Sequence, residues 1–135
     1  MATVKLLSDD ELSTEARAVF DDIRKVRKSD FVNNFWRALA HDPKTLRRTW
    51  ESIKEVMAPG ALDPKTKEML YVAVSVAHGC SYCIHSHTAA ARARGMTEAE
   101  YGELLAIVGM AAETNRLVTA LGVPVDEAFL VDKAD

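Results

Sequence analysis

Between Met69 and Ala91 the chain carries no Asp, Glu, Lys or Arg, although 27% of all its residues are charged. An uncharged run of this length is long enough to cross a bilayer, so it must be hidden from water somewhere. Its content excludes a membrane span, because Ser75, His78, Ser81, Tyr82, His85, Ser86, His87 and Thr88 would set too much polar chemistry at the bilayer centre. The run is therefore read as buried or interfacial protein. Both cysteines and three of the four histidines fall between His78 and His87, so the chemistry of the chain is sought there.

The rest of the 135 residues supports one globular domain spanning 1–135, since 48% are hydrophobic and a core can be built from them. A net charge of −3 supplies no positive field, which argues against nucleic acid and against an anionic membrane as partners. The first residues, MATVKLLSDDEL, lack the basic head and apolar core of a secretory signal, and a cytoplasmic location is expected.

Periodicity predicts an all-α chain. Leu12, Ala16, Val19, Phe20, Ile23 and Val26 recur at helical spacing, with Ser8 and Glu11 as a capping box upstream. A short apolar helix is expected around Phe31 to Ala40, carrying Phe31, Phe35, Trp36 and Leu39. Asp42 and Pro43 then open a helix with Leu46, Trp50, Ile53 and Met57 on one stripe, closed by Pro59 and Gly60. Asp63 and Pro64 repeat the start signal for a helix running through Glu68 toward His78. The segment YVAVSVA inside it alternates with period two, as a buried strand would, and a strand before the cysteines would be thioredoxin-like. Helix is favoured, because the cap lies upstream and no other convincing strand exists to pair with it. Ser81 to Arg94 reads as a helix stopped by Gly95. Thr97 and Glu100 form a capping box before a last helical region with Tyr101, Leu104, Leu105, Val108, Met110, Leu117, Val118 and Leu121, ended by Gly122 and Pro124.

Cys80, Ser81, Tyr82 and Cys83 make a CxxC pair whose spacing on a first helical turn is within disulfide range. Amide N–H groups and the positive dipole end at that helix start favour thiolate over thiol. At about 100° per residue, Cys80, Cys83 and His87 share one face, so His87 can serve Cys83 as base or hydrogen-bond partner. His85 lies off that face and reads as a solvent or interface histidine. Glu68 is the last charge before the uncharged run; it reaches the thiols only if the chain turns back at Gly79, and otherwise it is a surface carboxylate. Cys80, Cys83 and His87 also fit three ligands of a zinc site, whereas haem attachment is excluded because Ile84 follows Cys83.

Glu68, eleven further residues, CSYC, three residues and His87 resemble the signature of the alkylhydroperoxidase D-like family, within the carboxymuconolactone decarboxylase superfamily. The resemblance covers roughly Asp63 to Met110. It implies an all-helical domain of about six to seven helices, assembled as hexamers or otherwise trimers, with a CxxC that cycles between dithiol and disulfide. It further implies that Glu68 and His87 relay protons to and from Cys80 and Cys83. The resemblance to the family's peroxidase members implies a histidine between the cysteines, where this chain has Tyr82, which makes Tyr82 a secondary candidate beside His85.

The activity expected from the residues and the resemblance together is a thiol-dependent hydroperoxide or disulfide reductase. It would take a hydroperoxide as substrate and a dithiol or lipoyl-bearing protein as reductant, with no cofactor and no bound metal. Two alternatives stand beside it: a decarboxylase-like lyase acting on a small carboxylated ring compound, and a zinc or redox-sensing module. A homo-oligomer is expected from Phe31, Phe35, Trp36 and the apolar run from Met69 to Ile84.

Overall fold

The structure, a computed structural model, describes residues 1–130 and contains six α-helices, two 3-10 turns and, among those residues, no strand. The rival strand over YVAVSVA is thereby settled as helix. The chain forms two compact units, one ending at Ala58 and one beginning at Pro59.

The first unit is built from α1 (Thr14–Arg27), α2 (Asn34–Leu39) and α3 (Pro43–Met57). Ser13 caps α1 by accepting the N–H of Ala16, and Asp42 caps α3 by accepting that of Thr45, with Pro43 behind it. The Ser8–Glu11 capping box is present but closes a separate 3-10 turn, Asp9–Glu11, so α1 starts later than its first apolar residue, Leu12. Ala16, Val19, Phe20 and Ile23 of α1 pack with Trp36 of α2 and with Leu46 and Trp50 of α3. Burying a side chain such as Phe20 or Ile23 contributes on the order of 2 kcal/mol. Trp36 and Trp50 meet edge to face at 5.7 Å, and the Trp50 indole N–H donates to Asp22 at 2.7 Å. Phe31 lies outside α2 and is exposed, whereas Trp36 is buried, so only the phenylalanines among the expected surface aromatics face water.

The second unit holds α4 (Pro64–His78), α5 (Ser81–Ala93) and α6 (Glu98–Leu121). Asp63 caps α4, and the chain leaves that helix through Gly79, whose φ of 72° lies in the left-handed region where a Cβ is penalised. Two residues later α5 begins and packs back along α4; α6 packs on α4 as well. The capping box of Thr97 and Glu100 starts α6, which runs unbroken through Gly102 and Gly109.

Little of this unit's apolar surface is covered within the described chain. Leu104 is the one buried residue of α6, while Ile107, Met110, Leu117, Val118 and Leu121 are exposed, as are Leu70 and Val74 of α4. By length and composition α6 is able to cross a membrane, with a mean hydropathy of 1.3 over its most apolar window.

Candidate active site

One backbone turn sets the cysteines. The N–H of Gly79 donates to the carbonyl of Val76 and that of Cys80 to the carbonyl of Ser75, at 3.2 and 3.0 Å, which together close the end of α4 as a Schellman motif. Cys80 is then the N-cap of α5, its sulfur accepting the N–H of Cys83 at 3.2 Å. The two cysteines are joined as a disulfide with Cα atoms 5.3 Å apart. The pair thus sits at a helix start, where no preceding turn takes up the backbone N–H groups, the place on a helix that best accommodates a sulfur anion when the bond is opened.

Glu68 does reach this region, because the turn at Gly79 brings α4 back along α5. Glu68 is 6% exposed, and its carboxylate accepts a hydrogen bond from His87 Nδ1 at 2.7 Å. With Glu68 ionised, it can only accept, so Nδ1 carries the proton and the imidazole's other nitrogen, Nε2, is the basic atom. Cys83 stands one helical turn before His87, the spacing at which side chains on a helix are neighbours. Three groups named from the sequence, Glu68, His87 and the cysteine pair, are therefore assembled in one hairpin.

Two further side chains complete the arrangement. The Tyr71 ring lies on the His87 ring with centroids 3.6 Å apart and planes 19° from parallel. Arg94, at the far end of α5, places Nε 3.7 Å from the other carboxylate oxygen of Glu68. Sequence reasoning missed both. Tyr71 follows Glu68 by three residues and so shares its helix face, a signal that was there to be used; nothing local marks Arg94.

The secondary candidates both lie exposed on α5. His85 is exposed and bonds through Nδ1 to the carbonyl of Ser81, within α5. Tyr82, on the first turn of α5, is largely exposed. Among the described residues no group of three or more His, Cys, Asp or Glu side chains is placed to hold a metal ion, and the disulfide ties up both sulfurs of the zinc set Cys80, Cys83 and His87. An apolar groove of about 320 Å³ opens between α4 and α6, lined by Met69, Leu70, Ala73, Leu104, Ile107 and Val108, with Glu100 and Glu103 among its polar residues. Those α4 residues lie opposite Glu68 and Tyr71 on the helix, so the groove is separate from the disulfide's face.

Hairpin, disulfide and buried Glu–His pair define the class: an all-helical protein with a disulfide-bonded CxxC at a helix start. The carboxymuconolactone decarboxylase family model matches residues 43–126, and the chain belongs to that family, as an alkylhydroperoxidase D-like member. A crystal structure of the alkylhydroperoxidase AhpD core from Rhodospirillum rubrum is 67% identical, with a TM-score of 0.93 over 98% of this chain and 99% of that one. An uncharacterized protein 4 in the cox locus of Paracoccus denitrificans is 40% identical over 52 residues, which cover 38% of this chain and 47% of that protein. The match thus spans about half the length of that curated relative.

Proposed function

We propose that the chain is a cytoplasmic thiol peroxidase that cycles Cys80 and Cys83 between dithiol and disulfide. The observation that carries this reading is the Glu68–His87 hydrogen bond one helical turn from a cysteine pair already joined in a disulfide. In the reduced protein, His87 Nε2 takes the Cys83 proton, and the Cys83 thiolate attacks the terminal oxygen of a hydroperoxide. The O–O bond breaks, Cys83 becomes a sulfenic acid, and the departing alkoxide takes a proton to leave as an alcohol. The Cys80 thiol then displaces the sulfenic hydroxyl as water, restoring the disulfide. A dithiol, free or on a lipoyl-bearing protein, returns two electrons by thiol–disulfide exchange.

Turnover of an alkyl hydroperoxide with a dithiol donor tests the reading, with Cys80→Ser and Cys83→Ser each expected to abolish it. Full turnover by both variants would overturn it. Activity of Cys80→Ser on a lactone acid, with no thiol consumed, would instead support the lyase chemistry for which the family is named.

We further propose a homo-oligomer, hexamer before trimer, with the apolar face of α6 as covered surface. Light scattering tests it: a mass independent of concentration and equal to one chain would contradict it. Neither nucleic acid nor membrane is proposed as a partner, and pelleting with anionic vesicles would count against that part.

A further inference from the structure

We infer that Tyr71 is a positioning residue for His87. This rests on the proposal that His87 serves Cys83, and goes beyond it by assigning what holds the imidazole in working orientation. The hydrogen bond from Nδ1 to Glu68 fixes one edge of the ring but leaves the imidazole free to swing about that contact. A ring stacked at 3.6 Å and 19° removes this freedom, since any rotation out of the common plane must separate two faces in van der Waals contact.

Both constraints come from α4, three residues apart, so the helix that supplies the carboxylate also supplies the platform. Nε2, across the ring from Nδ1, is then held in one place relative to the preceding turn of α5, where Cys83 lies. Tyr71 is 37% exposed, whereas the His87 side chain beneath it is 18% exposed. The phenol ring therefore also shields one face of the imidazole from water. Because the face of the ring does this work, a phenylalanine should replace the tyrosine and an aliphatic residue should not.

The test uses the full chain, reduced, in a Cys80→Ser background. Alkylation of Cys83 by iodoacetamide at pH 7 is expected to slow about two- to tenfold in Tyr71→Leu, the range that loss of one aromatic pair corresponds to, and to recover in Tyr71→Phe. His87 ring protons, assigned by comparison with His87→Ala, are expected to be shifted upfield by the tyrosine ring, to lose that shift in Tyr71→Leu and to keep it in Tyr71→Phe. If Tyr71→Leu fails to fold, Tyr71→Met takes its place with the same expected outcome. Wild-type alkylation rates in the aliphatic variant, with His87→Ala slow, would overturn this inference alone. An unslowed His87→Ala would overturn it together with the relay on which it rests.

Discussion

The backbone N–H of Cys80 closes the end of α4 on the carbonyl of Ser75, while the sulfur of the same residue opens α5 by accepting the N–H of Cys83. One residue thus ends the helix that carries Glu68 and starts the helix that carries His87. The 2.7 Å contact between those two side chains depends on this junction, and the junction depends on Gly79.

Gly79→Ala is accordingly expected to destabilise the protein by about 1 kcal/mol, the cost of holding a Cβ in the left-handed region. Sterics add nothing, since a Cβ built at Gly79 meets no neighbour within 4 Å. Asparagine, which tolerates this conformation better, should cost less than alanine. Denaturant midpoints of the two variants against wild type measure the difference; a loss of several kcal/mol in Gly79→Ala would mean that the turn tolerates no adjustment.

Glu68→Gln should slow peroxide-driven disulfide formation by about a hundredfold, the low end of what a positioned acid or base contributes. Arg94→Gln should slow it by less than about threefold and change stability by less than about 1 kcal/mol, because Arg94 is half exposed and 3.7 Å from the carboxylate. Stopped-flow mixing of the reduced variants with peroxide separates the two. Equal losses would place Arg94 inside the relay rather than beside it.

How much of this hairpin was legible follows from which signals are local. Asp63–Pro64, Gly79, Gly95 and the CxxC are punctuation read from neighbouring residues, and each stands where its chemistry requires. Glu68 was legible only conditionally, because its reach to His87 needs the chain reversal that Gly79 provides. Tyr71 was legible as a neighbour of Glu68 on one face of α4, but no spacing within one helix reveals that it meets His87, nor that Arg94 meets Glu68. The valine alternation in YVAVSVA offered a strand as a rival, and the helix favoured over it stands: Val72 and Ser75 are buried while Val74 is exposed, a spacing of three that is helical and not strand order. In the first unit, Val26 continues the apolar spacing of α1 yet is exposed, since the buried stripe ends at Ile23.

Acid stability in the first unit should report on Asp22. Hydrogen bonds from Lys54 and then from the Trp50 indole hold its carboxyl below the ordinary carboxylate value, and Lys54 is raised in turn, chiefly by its bond to Asp22. For Asp22 the folded form binds its proton less readily than the unfolded form. Its contribution is therefore complete above about pH 4 and disappears as the pH falls through the lower, folded value. For Lys54 the sign reverses: the contribution is complete below about pH 10 and is lost as the pH climbs past the raised value. Asp22→Asn is expected to flatten the acid limb of the unfolding midpoint against pH, and to weaken the alkaline limb less, because Glu51 also pairs with Lys54. An acid limb as steep in the variant as in wild type would show that other carboxylates govern it.

The face of α6 makes the last prediction. Ile107 and Met110 are 68% and 58% exposed in a helix with a single buried residue, and they continue the apolar surface of the groove that α6 forms with α4. Exposed apolar area on this scale is costly for a protein free in water, so a second copy covering it would gain the burial energy that the isolated unit forgoes, on the order of 25 cal/mol for each Å². Ile107→Lys with Met110→Glu places charges of both signs on that face without altering helix propensity much, because all four residue types are tolerated in helices. The double variant is expected to shift the mass in light scattering from an oligomer to a single chain while keeping its helical circular dichroism. An oligomer of wild-type mass in the variant would move the interface elsewhere. Wild-type protein that pellets with neutral phosphatidylcholine vesicles, and a variant that does not, would instead make α6 a membrane-facing helix, the other role its length and composition permit.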